Sequence, residues 1–73
     1  MQIYIKNASD GVLFTLEIDK SDTIDDLRRR INDKVGIPKD SIRLIFSGKV
    51  LMYETKCTDY GIRQDSVLHM VLR

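Results

Sequence analysis

Cys57 and His69 are the only cysteine and the only histidine in this chain. Together they could act as a nucleophile and its base if the fold placed the histidine beside an exposed thiol. Cys57, however, lies in the segment "TKCTDYGI" at a position typical of a core anchor, where cysteine behaves as a small apolar side chain. We therefore expect Cys57 to be buried and chemically inert.

The adjacent carboxylates Asp25 and Asp26 are the other candidates for catalysis, as a general acid and a general base. They stand at a predicted helix start, where the positive end of the helix dipole favours acidic residues. One cysteine and one histidine are too few for a metal-ligand cluster, and no glycine-rich phosphate loop is present. The sequence predicts a non-enzymatic protein without a catalytic residue, a metal or another cofactor.

The arginine run Arg28–Arg30 could contact an anionic partner such as nucleic acid. Asp25, Asp26 and Asp33 lie nearby in the sequence, which favours a solvated helix face of mixed charge. The formal net charge of +1 would attract neither nucleic acid nor a membrane surface. We expect neither as a partner.

Length and composition indicate one small domain over residues 1–73. Hydrophobic residues make up 42% and charged residues 32%, as in ordinary globular proteins. No apolar run approaches the ~18 residues of a membrane span, and the first strand pattern begins at Met1 without a signal peptide. A lone cysteine allows no internal disulfide. These features fit a monomer in the cytoplasm or the nucleus.

Sequence periodicity predicts the strands and turns that must position any site. "MQIYIK" and "VLFTLEID" alternate apolar and polar residues, and Asp10-Gly11 between them is a hairpin signal. "SIRLIF", a Ser47-Gly48 turn and a short strand near Lys49–Leu51 follow later. The last strand is predicted over "SVLHMVLR".

A single helix is predicted between these strand groups. Thr23 and Asp26 can form a capping box at its start. Gly36 can end it in the left-handed conformation. Apolar residues recur at helical spacing at Ile24, Leu27, Ile31 and Val35.

The order strand, strand, helix, strand, short strand, strand predicts an α+β fold. It is typical of a β-grasp, in which a mixed four- to five-stranded sheet packs on one helix. The inward positions predict a core of Ile3, Ile5, Phe14, Leu16, Ile18, Ile24, Leu27, Ile31, Leu44, Phe46, Leu51, Cys57, Ile62, Leu68 and Met70.

The segment "RLIFSGK" carries an isoleucine that the strand pattern turns away from this core. Leu44 and Phe46 face inward, so Ile45 between them points outward. In the last strand the same alternation sends His69 and Val71 outward. Single exposed apolar residues are normal on protein surfaces, so the pattern alone does not define a binding site.

The motifs "MQI", "TLE", "SDTI", "DK.GIP.D", "RLIF.GK", "DY.I" and "S.LH.VLR" stand in this order along the chain. Each motif is weak alone, but the ordered set resembles the ubiquitin family from Met1 to Arg73, with one extra residue in the first hairpin loop. "SGK" and "SVLH" are also similar to ubiquitin-related modifiers. The resemblance implies the β-grasp fold and protein partners in the ubiquitin pathway.

The same resemblance implies a binding site on the outer face of the sheet. In the family, the positions of Ile45, Val71 and His69 form an exposed patch that ubiquitin-binding domains recognise. Arg43 and Arg73 would add to a basic rim that suits a partner helix with an apolar stripe and acidic flanks. The implied protein-binding site further includes Gly48, Lys49 and Ala8, the last in place of a family leucine.

Other surface residues acquire roles by resemblance only. Ile37, Leu72 and Arg73 match positions close to the family's C-terminal tail, where recognition is implied. Lys6, Lys34 and Lys49 match lysines that can accept a further ubiquitin. Tyr4 and Leu13 lie on the outer face of the first hairpin and form a second surface patch, which is enlarged here because the family usually has a polar residue at Leu13. Cross-strand packing and partner binding carry equal weight for it.

Three functions agree with these observations. The favoured one is a domain that ubiquitin-binding or proteasomal receptors recognise non-covalently. The alternative is a covalent modifier whose Gly-Gly tail is absent from this chain, and the third is a structural module of an enzyme. The codons after Arg73 would separate the first two.

We expect the 73-residue chain to form no thioester with a ubiquitin-activating enzyme, because it lacks the Gly-Gly tail that is activated in the family. Incubation with activating enzyme and ATP, followed by a gel with and without reductant, checks this. Any reducible adduct would contradict the expectation.

Overall fold

A five-stranded mixed sheet is covered on one face by a single α-helix. The computed structural model describes residues 1–73. The strands lie in the order β2-β1-β5-β3-β4, with β1 and β5 parallel and the other neighbours antiparallel. This confirms the predicted β-grasp and gives it five strands. The elements are β1 (Gln2–Asn7), β2 (Leu13–Glu17), α1 (Ile24–Val35), β3 (Ile42–Phe46), β4 (Lys49–Val50) and β5 (Val67–Leu72), with 3-10 turns at Lys39–Ser41 and Cys57–Tyr60.

Local signals set both ends of α1 as predicted. The Asp26 N–H donates to Thr23 Oγ1 at 3.2 Å, and the Thr23 N–H donates to the Asp26 carboxylate at 2.9 Å, which completes a capping box. At the other end Gly36 adopts φ 77°, and its N–H donates to the Asn32 carbonyl. A side chain at Gly36 would be strained in this conformation.

The turn between β3 and β4 sets the register in which these two strands pair. Ser47 and Gly48 have φ values of 54° and 74°, as a two-residue hairpin turn with two left-handed residues requires. This turn brings Phe46 opposite Lys49 and Ile45 opposite Val50. The side chain of Val50 therefore lies beside that of Ile45.

The core lies between α1 and the sheet, and it corrects the predicted core list at three positions, Phe14, Phe46 and Ile42. Phe14, on the edge strand β2, and Phe46, at the end of β3, are only partly buried and pack against the core. Val35 is 42% exposed at the last turn of α1. Ile42 is fully buried and joins the core, which consists of Ile3, Ile5, Leu16, Ile18, Ile24, Leu27, Ile31, Ile42, Leu44, Leu51, Cys57, Ile62, Leu68 and Met70.

The arginine run of α1 departs from the predicted solvated face of mixed charge at Arg28, whereas the side chains of Arg29 and Arg30 are 60% and 40% exposed. Arg28 is 5% exposed, and its guanidinium contacts Asp25 at 2.6 Å and lies 3.6 Å from the centre of the Tyr53 ring. Arg30 pairs with Asp22 at 2.7 Å, and Arg29 pairs with Asp26. The three positive charges are thus matched by carboxylates of the same chain, because the turns before and within α1 bring those aspartates close.

We expect Thr23→Ala to lower the free energy of unfolding by about 0.5–2 kcal/mol, because it removes the hydroxyl that accepts the Asp26 N–H. Urea denaturation at neutral pH measures this loss. Thr23→Ser is the control that keeps the hydroxyl, and an equal loss in both variants would contradict the capping role.

The capping box also makes stability depend on pH. The Thr23 N–H holds the pKa of the Asp26 carboxyl below its usual value of 3.8. The resulting stabilisation is present above that value and is lost as the pH falls through the lowered pKa.

Candidate functional site

The sheet face opposite α1 brings together the side chains of the predicted patch. Pairing of β3 with β5 sets Ile45 opposite His69 and Arg43 opposite Val71. Met70, which alternates with His69 and Val71, is fully buried on the helix side, so these outward side chains share the outer face. We call Ile45, His69 and Val71 the Ile45 patch.

The Ile45 patch is flanked by neighbours that reduce the exposure of its apolar members. Ile45 and Val71 are partly buried, whereas His69 is exposed. Ile45 lies between His69 on β5 and Val50 on β4. The isoleucine therefore belongs to a row of side chains across the sheet, and recognition of this row by a partner stays a prediction.

Val50 extends the row, although it was not predicted from the sequence as a site residue. It is 52% exposed and is the outer-face neighbour of Ile45 on the edge strand. The Ser47-Gly48 turn could have predicted this position, because a two-residue hairpin turn sets which residues pair and so places Val50 opposite Ile45.

The first hairpin loop reaches the same face. The Ala8 N–H donates to the Met70 carbonyl at 2.9 Å, which continues the parallel pairing of β1 with β5 past Asn7. Ala8 is exposed and lies alongside the segment of β5 that carries Val71. The structure thus brings Ala8 to the margin of the Ile45 patch.

The cations around the Ile45 patch have no carboxylate partners within the chain. Five salt bridges form, and none involves Arg43, Lys49 or Arg73. Lys6 lies beside His69 through the pairing of β1 with β5. These charges give the apolar patch a positive rim that can attract an acidic partner.

The second predicted patch lies across β1 on the same face. Tyr4 pairs with Val67 on β5, and Leu13 pairs with Lys6. Leu13 and Tyr4 are therefore diagonal neighbours rather than direct partners, and Val67, which is 42% exposed, adds to this patch. Lys6 lies between Leu13 and His69 and separates the two patches.

The residues that match the tail-proximal positions lie at the end of β5. Leu72 is opposite Ile42 and is 38% exposed. The Arg73 N–H donates to the Ser41 carbonyl at 3.0 Å. Ile37, in the segment after α1, is partly buried against the core. A role in recognition stays a prediction for all three.

The three candidate acceptor lysines differ in their surroundings. Lys6 and Lys49 are exposed and form no salt bridge or side-chain hydrogen bond. The Lys34 ammonium donates to the Thr15 carbonyl and lies 5.9 Å from the centre of the Phe14 ring. Acylation of Lys34 would require its amine to leave this position.

Cys57 is fully buried, as predicted, and belongs to the core. Burial raises the pKa of its thiol to about 11, so the thiol stays protonated at neutral pH and is a poor nucleophile. The side chains form no group of three or more potential ligands that could hold a metal ion. No helix combines the length and apolar character that crossing a bilayer requires.

Comparison with protein families gives a match to the ubiquitin family over residues 3–73. Among curated proteins, the chain is 38% identical over 72 residues to the ubiquitin-like protein NEDD8 of Dictyostelium discoideum, covering 99% of this chain and 92% of that protein. It is 37% identical over all 73 residues to the E3 ubiquitin-protein ligase UPL5 of Arabidopsis thaliana, of which it spans 8%.

A third relative is the ubiquitin-like protein 4A of Rattus norvegicus, 32% identical over 73 residues. The chain covers 46% of that protein's length. The similar proteins therefore include small ones matched almost completely and longer ones of which the matched region is a part.

We expect Ile45→Ala to lower the free energy of unfolding by less than about 1.5 kcal/mol, because its side chain is only partly buried on the outer face. Leu44→Ala is the matched control one residue away. Leu44 is fully buried, so its truncation should cost about 2–5 kcal/mol. Urea denaturation measures both, and equal losses would contradict the outward orientation of Ile45.

Proposed function

Because this chain belongs to the ubiquitin family, whose domains are not enzymes, we propose that it is a recognition domain bound non-covalently through the Ile45 patch. Its partners are ubiquitin-binding or proteasomal receptors. The observation that carries the proposal is the combination of an apolar row on the outer sheet face with a positive rim that lacks carboxylate partners.

The chemistry of the patch defines the partner. Ile45 and Val71 offer apolar area at the centre, while Arg43 and Lys49 offer positive charge at the rim. An amphipathic helix with an apolar stripe and acidic flanks matches both features. Two partly exposed aliphatic side chains support weak and reversible binding, since full burial of each contributes only about 1.5–3 kcal/mol.

The longer relatives support a domain within a larger protein. The matched region makes up 8% of the E3 ubiquitin-protein ligase UPL5 and 46% of the ubiquitin-like protein 4A. If this chain is likewise part of a longer protein, binding through a surface patch is sufficient to recruit that protein to a partner.

A covalent modifier is the second candidate, and the match over 92% of the ubiquitin-like protein NEDD8 favours it. In that case Lys6 and Lys49, whose amines are free, would be better acceptors of a further modifier than Lys34. Sequencing the gene past the codon for Arg73 tests this candidate. Gly-Gly within a few residues supports the modifier, and a long continuation without it supports the domain.

We expect Ala8→Leu to tighten binding to a synthetic helical ubiquitin-binding motif by roughly three- to tenfold, or about 0.7–1.4 kcal/mol. The leucine adds three carbons of apolar area at the margin of the Ile45 patch, each contributing up to about 0.8 kcal/mol when buried. Part of this gain is offset by ordering of the loop. Calorimetric titration gives the affinities.

Ile45→Ala is the companion variant and should abolish the same binding. NMR titration of the unmodified chain should shift the signals of Ile45, His69 and Val71. If those signals stay fixed while Tyr4 and Leu13 move, the second patch is the binding site and the proposal fails.

A further inference from the structure

A groove with a volume of about 200 Å³ opens where the chain leaves β4, beside the Ile45 patch. Val50 and Met52 are 52% and 58% exposed on either side of the fully buried Leu51. Two large apolar side chains therefore point outward at the mouth of one depression. The groove is lined by Arg43, Val50, Leu51, Met52, Tyr53 and Glu54, and we call it the Met52 groove.

Contacts with α1 and with Tyr60 hold the walls of the Met52 groove in place. The Asp25 N–H donates to the Tyr53 carbonyl at 2.8 Å, and the Met52 N–H donates to the Tyr60 hydroxyl at 2.9 Å. The Tyr53 ring is also fixed by the guanidinium of Arg28, 3.6 Å from its centre. A preformed groove needs little ordering when it is filled, which favours binding.

The Met52 groove is continuous with the Ile45 patch. Val50 belongs to both, because it pairs with Ile45 across the hairpin and also lines the groove. Arg43 lies two residues from Ile45 on the same strand and face, and it lines the groove as well. A partner helix on the Ile45 patch would therefore extend directly over the groove.

Charge and size limit what the Met52 groove can hold. One cation and one anion line the groove, Arg43 and Glu54, and neither forms a salt bridge within the chain. An acidic residue of the partner would therefore pair with Arg43 and lie away from Glu54. The volume is below the roughly 300 Å³ at which small-molecule pockets begin. It suits one apolar side chain of a protein partner rather than a free ligand.

We propose that the Met52 groove binds an apolar anchor residue of the protein that docks on the Ile45 patch, with an adjacent acidic residue of that partner paired to Arg43. The proposal rests on the proposed function and specifies the partner: an acidic amphipathic segment that is longer than the Ile45 patch alone requires. Burial of Met52 and Val50 beneath the anchor supplies the additional affinity.

Calorimetric titration with three synthetic peptides tests the proposal. The first peptide is a helical ubiquitin-binding motif. The second and third are the same motif extended by one helical turn, at the N-terminal end in one and at the C-terminal end in the other. The added turn carries a leucine as the anchor and an aspartate to pair with Arg43. One extended peptide should bind roughly three- to tenfold more tightly than the motif alone. The NMR signal of the Met52 methyl group should move with that peptide only.

Variants identify the source of the gain. Met52→Gln should remove the gain while leaving the affinity for the unextended motif unchanged. Val35→Gln is the matched control, because Val35 is also an exposed apolar residue but lies at the end of α1. Replacing the aspartate of the extension by asparagine should weaken binding to the unmodified chain. It should not weaken binding to the Arg43→Gln variant, because that variant already lacks the charge pair between Arg43 and the aspartate.

The outcomes separate the two proposals. If the unextended motif binds and neither extension adds affinity, or if the gain persists in Met52→Gln, the Met52 groove is not used and the proposed function stands. If the unextended motif does not bind the unmodified chain, the proposed function fails, and the proposal for the groove fails with it.

Discussion

The parallel pairing of β1 with β5 is the contact on which the rest of the structure depends. It joins residues from opposite ends of the chain, as in the hydrogen bond of 2.8 Å from the Tyr4 N–H to the Ser66 carbonyl. The hairpin of β1 and β2 and the unit of β3, β4 and β5 meet only at this seam of the sheet. The same seam brings Lys6 and Ala8 beside β5, so the register that closes the core also assembles the proposed binding face.

Features that short segments dictate could be predicted from the sequence. Thr23 and Gly36 mark the ends of α1 because capping needs only a few adjacent residues. Strand alternation is equally local, and it sends Ile45, His69 and Val71 to one face as soon as Leu44 and Met70 face inward. The candidate patch is visible in the sequence for this reason, and the family resemblance supports the function proposed for it.

Features that depend on distant segments could not be predicted in this way. Arg28 reads as a surface residue, and it is buried because Tyr53, Asp25 and the Lys39 carbonyl surround it. Phe46 follows the inward pattern of β3, but it is only partly buried in the folded chain. The Met52 groove likewise exists because the start of α1 binds the segment after β4. Contacts between segments that are distant in the sequence become visible only in the folded structure.

The two edges of the sheet limit how another protein can engage this chain. One edge is β4, which has two residues and offers too short a ladder for an added strand. The other edge is β2, where the Lys34 ammonium donates a hydrogen bond to the Thr15 carbonyl at the middle of the strand. A charged amine at that point discourages intermolecular strand pairing. Both edges therefore disfavour an added strand, so the proposed recognition would depend on side chains of the outer face. Its specificity would then come from which residues are present rather than from backbone hydrogen bonds.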